Sequence, residues 1–290
     1  MLNNILDLSQ RALSATLHLS AWTGQRIDNT ATRTVQTKHS TASDSGKFAK
    51  ALLPKDALAA INTAHSRARQ SFHYLTLPWL DDATRIFPAS NLLSFREEMR
   101  KRREACGEAY DEFVRKYPEY LASGPARLGD LYHAREFPDA DSVRNLFSFS
   151  LTIAPVASGD FRITNVTPEQ EAELTAEYTN AAREQMGAAQ RELWTRLGDV
   201  LRHFADTMAT KDKIFHGSTV EKVVELAKRA PSLSLVPDSD LQRVCDDVLR
   251  RVSLAHADTY RADEWARQEA ANVARDALRQ VENKLAGAFV

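Results

Sequence analysis

Glycine and cysteine are scarce in this sequence, and long apolar runs and a strong net charge are missing. Ten glycines in 290 residues leave little material for a phosphate-cradling loop, and the same shortage argues against a β-sandwich or a collagen. Two cysteines, Cys106 and Cys245, stand 139 positions apart, which is neither a disulfide framework nor a zinc spacing. Both fall among apolar helical positions and read as buried free thiols in a reducing compartment. No window approaches the roughly 20 apolar residues of a spanning helix. The start, Met1-Leu2-Asn3-Asn4-Ile5-Leu6-Asp7, has neither the basic nor the apolar region of a secretory signal. A cytoplasmic protein with no membrane contact is expected. A net charge of −1 excludes a globally basic nucleic-acid binder and an acidic tail.

Catalytic signatures are missing as well. The chain has no P-loop, no dinucleotide fingerprint, no H-E-x-x-H, no C-x-x-C, no G-x-S-x-G and no EF-hand loop. His65 and His73 stand eight apart with no carboxylate on the same face between them, so polar or half-buried helix positions fit better than metal ligands. Asp81 and Asp82 are adjacent and point apart, which suits an acidic turn that caps a helix or pairs with Arg85. No catalytic residue, cofactor or metal is assigned, and a non-enzymatic protein is expected.

What is abundant is alanine, 42 residues, with Leu, Glu, Arg and Gln, a composition that favours helix. Apolar residues recur at spacings of three and four over 54–75, 89–121, 218–230, 238–252 and 259–288, with Pro231 and Pro237 marking breaks between helices. The clearest helix opens at Thr167-Pro168-Glu169-Gln170, with Thr167 as N-cap, Pro168 at the first helical position and Gln170 closing a capping box. Its seam runs Leu174, Tyr178, Ala182, Met186, Ala189, Leu193, Leu197, Val200 or Leu201, Phe204 and Met208. Unbroken, that helix is about 64 Å long. It must brace a large bundle, project into solvent or meet another chain; a homo-oligomer is expected.

Period-two alternation marks a strand near 16–22 and a hairpin near 147–163, with Phe147, Phe149, Leu151, Phe161 and Ile163 on one buried face. The polar stretch 28–47 reads as a long loop. The expected fold is helix-dominated α+β: about six long helices with a small antiparallel sheet. One elongated domain over 1–290 is expected, with 1–165 and 166–290 as the possible subdivision.

Arginine outnumbers lysine 27 to 11, a bias suited to phosphate or carboxylate recognition. Residues 1–80 carry nine Lys or Arg against four Asp or Glu. Around Arg96-Glu97-Glu98-Met99-Arg100-Lys101-Arg102-Arg103-Glu104, the pairs Glu97–Lys101 and Glu98–Arg102 stand at i,i+4 and favour a self-paired helix face. Arg96, Arg100 and Arg103 share a face that could instead track a phosphate backbone, extended by Arg33, Lys38, Lys47 and Lys50. Trp22, Trp79, Asp160 and Arg162 are candidate partner-binding positions; the tryptophans also suit half-buried anchors, and 159–162 suits a hairpin turn.

Six phrases, taken in order, resemble a family of uncharacterised phage and prophage proteins. They are Trp22-Thr23-Gly24-Gln25-Arg26, Leu77-Pro78-Trp79-Leu80-Asp81, Leu128-Gly129-Asp130-Leu131, Phe137-Pro138, Gly159-Asp160-Phe161-Arg162 and Leu193-Trp194-Thr195-Arg196-Leu197. The similarity spans about 15 to 285. Genes of that family often neighbour those for MoxR-type AAA+ ATPases and von Willebrand A-domain proteins. The resemblance implies a phage-encoded accessory protein and carries over no catalytic residue. Two functions are therefore expected: assembly through helical faces, with itself or with an AAA+ ATPase, or binding of nucleic acid in phage replication or recombination.

Overall fold

Thr167 starts the longest helix of the protein by the capping box read from its sequence. Its hydroxyl accepts from Gln170 N at 3.3 Å, and Gln170 Oε1 accepts from Thr167 N at 3.0 Å. In the computed structural model, which describes residues 3–159, 164–210, 217–252 and 257–287, that helix is one of fifteen α-helices and β-strands. In chain order they are α1 (Asn3–Arg11), β1 (Ala12–Ser20), β2 (Gln25–Ile27), α2 (Asn29–His39), β3 (Ala49–Ala51), α3 (Ala59–Tyr74), β4 (Leu77–Trp79), β5 (Asp81–Pro88), α4 (Leu92–Leu128), β6 (Ser148–Pro155), α5 itself (Pro168–Ala209), α6 (Gly217–Leu233), α7 (Ser239–Val252), α8 (Ala257–Ala262) and α9 (Glu264–Gly287). The fold is helix-dominated α+β, as expected. None of the described helices is long and apolar enough to cross a membrane.

Two compact units emerge, interleaved along the chain; one domain was expected, with a sequential split near 165 as its possible subdivision. One comprises Met1–Thr16, His73–Phe95 and Thr152–Val290; the other comprises Leu17–Phe72 and Arg96–Leu151. In the first unit, α5 buries Leu193, Trp194, Leu197, Leu201 and Phe204 against α6 and α9. Helix α9 presents a stripe of small residues, Ala270, Ala271, Ala274 and Ala277, which lets the two helices close up. At Gly198 a Cβ would lie 3.1 Å from Val281 Cγ1, so the two helices approach closely at this point. The α5 seam is thus covered within the unit from Ala182 onward, while Leu174 nearer its start is 37 % exposed.

In the second unit, α3 and α4 face each other through Ile61, Ala68, Cys106, Tyr110, Phe113 and Tyr117, with Phe147 and Val143 completing the cluster. Aromatic rings dominate it: Phe147 stacks on Tyr110 at 5.5 Å and meets Phe113 edge-on at 5.1 Å. Such pairs add about 0.5–1.5 kcal/mol each beyond area burial.

The four-stranded sheet has the order β4-β5-β1-β6, and β2 pairs with β3 in a second sheet. Strand β1 runs antiparallel to β5, with Ala12 opposite Pro88 and Thr16 opposite Thr84. Along β6 the alternation Ser148, Phe149, Ser150, Leu151 holds, with the apolar residues the less exposed; Phe161 and Ile163, the other half of the expected hairpin, lie outside the described residues.

Several expectations are corrected. Residues 28–47 are not a long loop, because α2 occupies 29–39. Residues 77–88 form the hairpin β4–β5, and Asp81 caps its turn rather than a helix, accepting from Ala83 N, Thr84 N and Thr84 Oγ1. Arg85 donates to Thr76, not to that acidic pair. Helix α4 runs on through Pro118 and Pro125 to Leu128, and α6 through Pro231 to Leu233. The expected last helix is two, separated at Asp263, whose carboxylate accepts from Trp265 N and Ala266 N and so caps α9.

Candidate nucleic-acid interface

Helix α2 has no buried residue, which leaves the hydrophobic effect almost nothing with which to hold it. Polar contacts do that instead. Asp28 accepts from Thr30 N and Ala31 N through Oδ1, at 3.0 and 2.9 Å, and takes Lys50 Nζ on Oδ2 at 2.8 Å. The Lys50 ammonium lies 2.8 Å from Glu136 Oε2 as well and donates to Leu131 O at 2.7 Å. Residue 50 is 3 % exposed and Asp28 is 7 %. The backbone and side-chain bonds to Asp28 hold its carboxyl below the usual range. For Lys50, burial works against the charge, but the bonds to Asp28 and Glu136 outweigh it and raise its pKa above the ordinary value.

The far end of α2 is tied by Gln36, whose Nε2 donates to Ser43 O at 2.9 Å and Gly46 O at 3.2 Å. Ser40 closes the helix in the left-handed region, φ 50°, with its N–H donating to Gln36 O and Thr37 O. Thr32 Oγ1 donates to Asp28 O and accepts from Phe48 N, at 2.6 and 3.0 Å. Every tie lies on one side of the helix or at its ends.

The other side is a shallow groove lined by Thr30, Arg33, Thr34, Thr37 and Lys38. These positions recur at i, i+3, i+4, i+7 and i+8, so they form one face. It carries two cations, three hydroxyl-bearing side chains and no carboxylate. Arg33 and Lys38 are exposed and make no ion pair among the described residues. Lys47 is also exposed, directly after the Gly46 that Gln36 binds. Ile27, Val35 and Phe48 stand 49, 48 and 40 % exposed on the same small lobe.

The remaining expected positions fare differently. Lys50 is buried and its charge is consumed inside the protein, so it leaves the expected basic track. On α4, Arg100 is held between Glu97 and Glu104, and the pairs Glu97–Lys101 at 3.7 Å and Glu98–Arg102 at 2.6 Å form as read. That stretch is largely self-neutralised. Arg103 lies over the Phe149 ring at 5.3 Å, and Arg96 is exposed. Trp79 is 2 % exposed and belongs to the core of the first unit, which corrects its reading as a partner-binding residue. Trp22 is half-buried, edge-on to Tyr117 at 6.2 Å. Asp160 and Arg162 lie outside the described residues. Both thiols are buried; burial raises Cys106 and pushes Cys245 up to about 12, so neither is a ready nucleophile at neutral pH.

What composition missed was the cap. Asp28-Asn29-Thr30-Ala31 has an N-cap residue in place, but the Thr-rich run behind it offers no apolar period to mark a helix. Family models, curated proteins and solved structures were all compared with the chain, and none of them matches it.

Proposed function

We propose that this is a binding protein rather than an enzyme, acting in the cytoplasm, and that the outer face of α2 holds the phosphate backbone of a nucleic acid. The observation that carries this reading is Arg33 and Lys38 on a carboxylate-free threonine face, presented by a helix that contributes no residue to the core. The two cations are about 7.5 Å apart along the helix axis, so each meets a different phosphate. Arginine and lysine neutralise phosphates and release condensed counterions, while threonine hydroxyls add positioning hydrogen bonds. Residues 17–72 contain eight Lys or Arg against three Asp or Glu, which keeps the local field positive although the whole chain is near neutral. Arg96, Arg103 and Lys47 are further candidates for the same backbone.

A second reading, assembly with a protein such as an AAA+ ATPase, rests on the exposed Ile27, Val35 and Phe48. Fluorescence anisotropy of short labelled oligonucleotides, at several salt concentrations, separates the two. The nucleic-acid reading expects binding that weakens with salt, and the double substitution Arg33→Ser with Lys38→Ser should flatten the log–log salt slope by about 1.5. No binding at low salt, or a slope unchanged by the double substitution, would sink it. Retained binding to a protein partner that is lost on Phe48→Ser would favour the second.

A further inference from the structure

In the first compact unit, two guanidinium groups converge on one backbone carbonyl. Arg85 Nη2 and Arg196 Nη2 each donate to Thr76 O at 3.1 Å, and Arg85 Nε donates to Thr76 Oγ1 at 2.8 Å. Arg85 is 8 % exposed and Thr76 is fully buried. The one carboxylate that pairs with them among the described residues is Glu192, whose Oε1 accepts from Arg196 Nε at 2.9 Å. Nη1 of Arg196 is buried and has no hydrogen-bond partner.

This arrangement is expensive as it stands. The buried Arg85 and the partly exposed Arg196, whose side chain is 18 % exposed, face one carboxylate and leave an excess positive charge, and the unpaired buried donor on Arg196 adds its own desolvation penalty. The repulsion shows: burial, then Arg196, pull Arg85 down to about 10, which still leaves it charged at neutral pH. Burial, with Arg85 and Arg196 beside it, also lowers the His73 imidazole, so histidine adds no third charge at neutral pH. The Thr76 carbonyl and hydroxyl take three of the guanidinium donors, but that role leaves Arg196 Nη1 unused. A guanidinium pair of this kind, with an unused donor on Arg196, suits a multi-oxygen anion.

We infer that Arg85 and Arg196 form a binding site for a tetrahedral oxyanion, a phosphate or the phosphate of a phosphomonoester, with Arg196 Nη1 as the donor reserved for it. Glu192, 41 % exposed on its side chain, is the group at the solvent edge, and the anion enters by displacing its carboxylate from Arg196. This site is independent of the α2 face.

Calorimetric titration of the full chain with inorganic phosphate, at constant ionic strength, tests the inference; adenosine monophosphate forms a second arm. Expected is saturable one-to-one binding with a Kd of about 1 mM or tighter. Arg196→Gln should weaken it about tenfold or more, and the Arg33→Ser, Lys38→Ser double variant should leave it intact, so the two proposals fail separately. Tighter binding of the nucleotide identifies a phosphomonoester ligand; equal or weaker binding identifies free phosphate. Because phosphate stabilises folded proteins generally by exclusion from their surface, the deciding quantity is the difference between wild type and variant. If Arg196→Gln does not fold, Arg196→Lys, which keeps the charge and loses the fork, must show the weakening instead. No saturable heat up to about 10 mM phosphate, or equal binding by wild type and variant, would overturn the site.

Discussion

Helices α2 and α5 are stabilised in opposite ways. Helix α5 has 42 residues and buries an apolar seam that includes Leu193, Leu197, Leu201 and Phe204. Helix α2 has 11 residues and buries none. One is held by removal of apolar surface from water. The other is held by a cap, a buried lysine and side-chain bonds to the chain that returns after it. A helix of the first kind tolerates any surface chemistry on its outer face. A helix of the second kind spends its polar groups on its own retention, so cations left over on its far side, Arg33 and Lys38, stand out as available for a ligand.

The largest test of that contrast is Leu197→Ala. This side chain is fully buried, and the substitution should lower unfolding free energy by about 2–5 kcal/mol in chemical denaturation. A loss under about 1 kcal/mol would mean that α5 is not held by its seam. Next is Lys50→Met, which strands Asp28 and Glu136 without their cation and should cost about 3 kcal/mol. Its sharper readout is amide hydrogen exchange, where Thr30 to Thr37 should lose protection while α5 keeps its own. Equal loss in both helices would show that α2 has no separate anchor.

The third test uses pH. Asp28 is depressed below the ordinary 3.8, so its contribution is present above that value and is lost as pH falls through its lower folded value. Lys50 is raised above the ordinary 10.5, so its contribution is complete below that value and is lost as pH rises through its higher folded value. Protection of α2 amides should therefore hold between these limits and decline outside them. A steep change inside the window would assign the anchoring to some other group. His65, buried and lowered by desolvation and by Arg69, adds a separate effect in the α3–α4 core. Its neutral form is favoured, so that core weakens as pH drops below about 6.5.

Smaller effects complete the series. Thr167→Ala removes the α5 cap and should cost about 1 kcal/mol, visible as fraying confined to the first turns by hydrogen exchange; a global loss would contradict a merely terminal role. The Arg33→Ser, Lys38→Ser pair should change stability by no more than about 0.5 kcal/mol, since neither side chain is used in holding α2. A large loss on thermal denaturation would make them structural and remove the ground for reading them as ligand-facing.

Much of the fold was legible because burial repeats. The i, i+3, i+4 pattern of Leu193, Leu197, Leu201 and Phe204, and of Cys106, Tyr110, Phe113 and Tyr117, is a local signal renewed at each turn, and the structure places these residues in the cores of the two units. The candidate site was legible in part: Arg33 and Lys38 lie exposed on one face, but Lys50 was counted with them and is buried. For Trp79 the sequence leaves partner binding and a half-buried anchor both open, because a single tryptophan has no period to say which way it faces.

Composition and apolar spacing by themselves determined the helical class, the start and seam of α5 and the core face of α4, because each depends on neighbours within a turn or two. Only the tertiary structure decided that 28–47 contains a helix, that Lys50 is buried, and that Arg85 meets Arg196 at Thr76. Those outcomes rest on polar partners far apart in the chain, Asp28 with Lys50 across 22 positions and Arg196 with Thr76 across 120. A charged side chain carries no periodic mark of its partner. Whether it faces water or a counter-charge is set by the elements that fold around it.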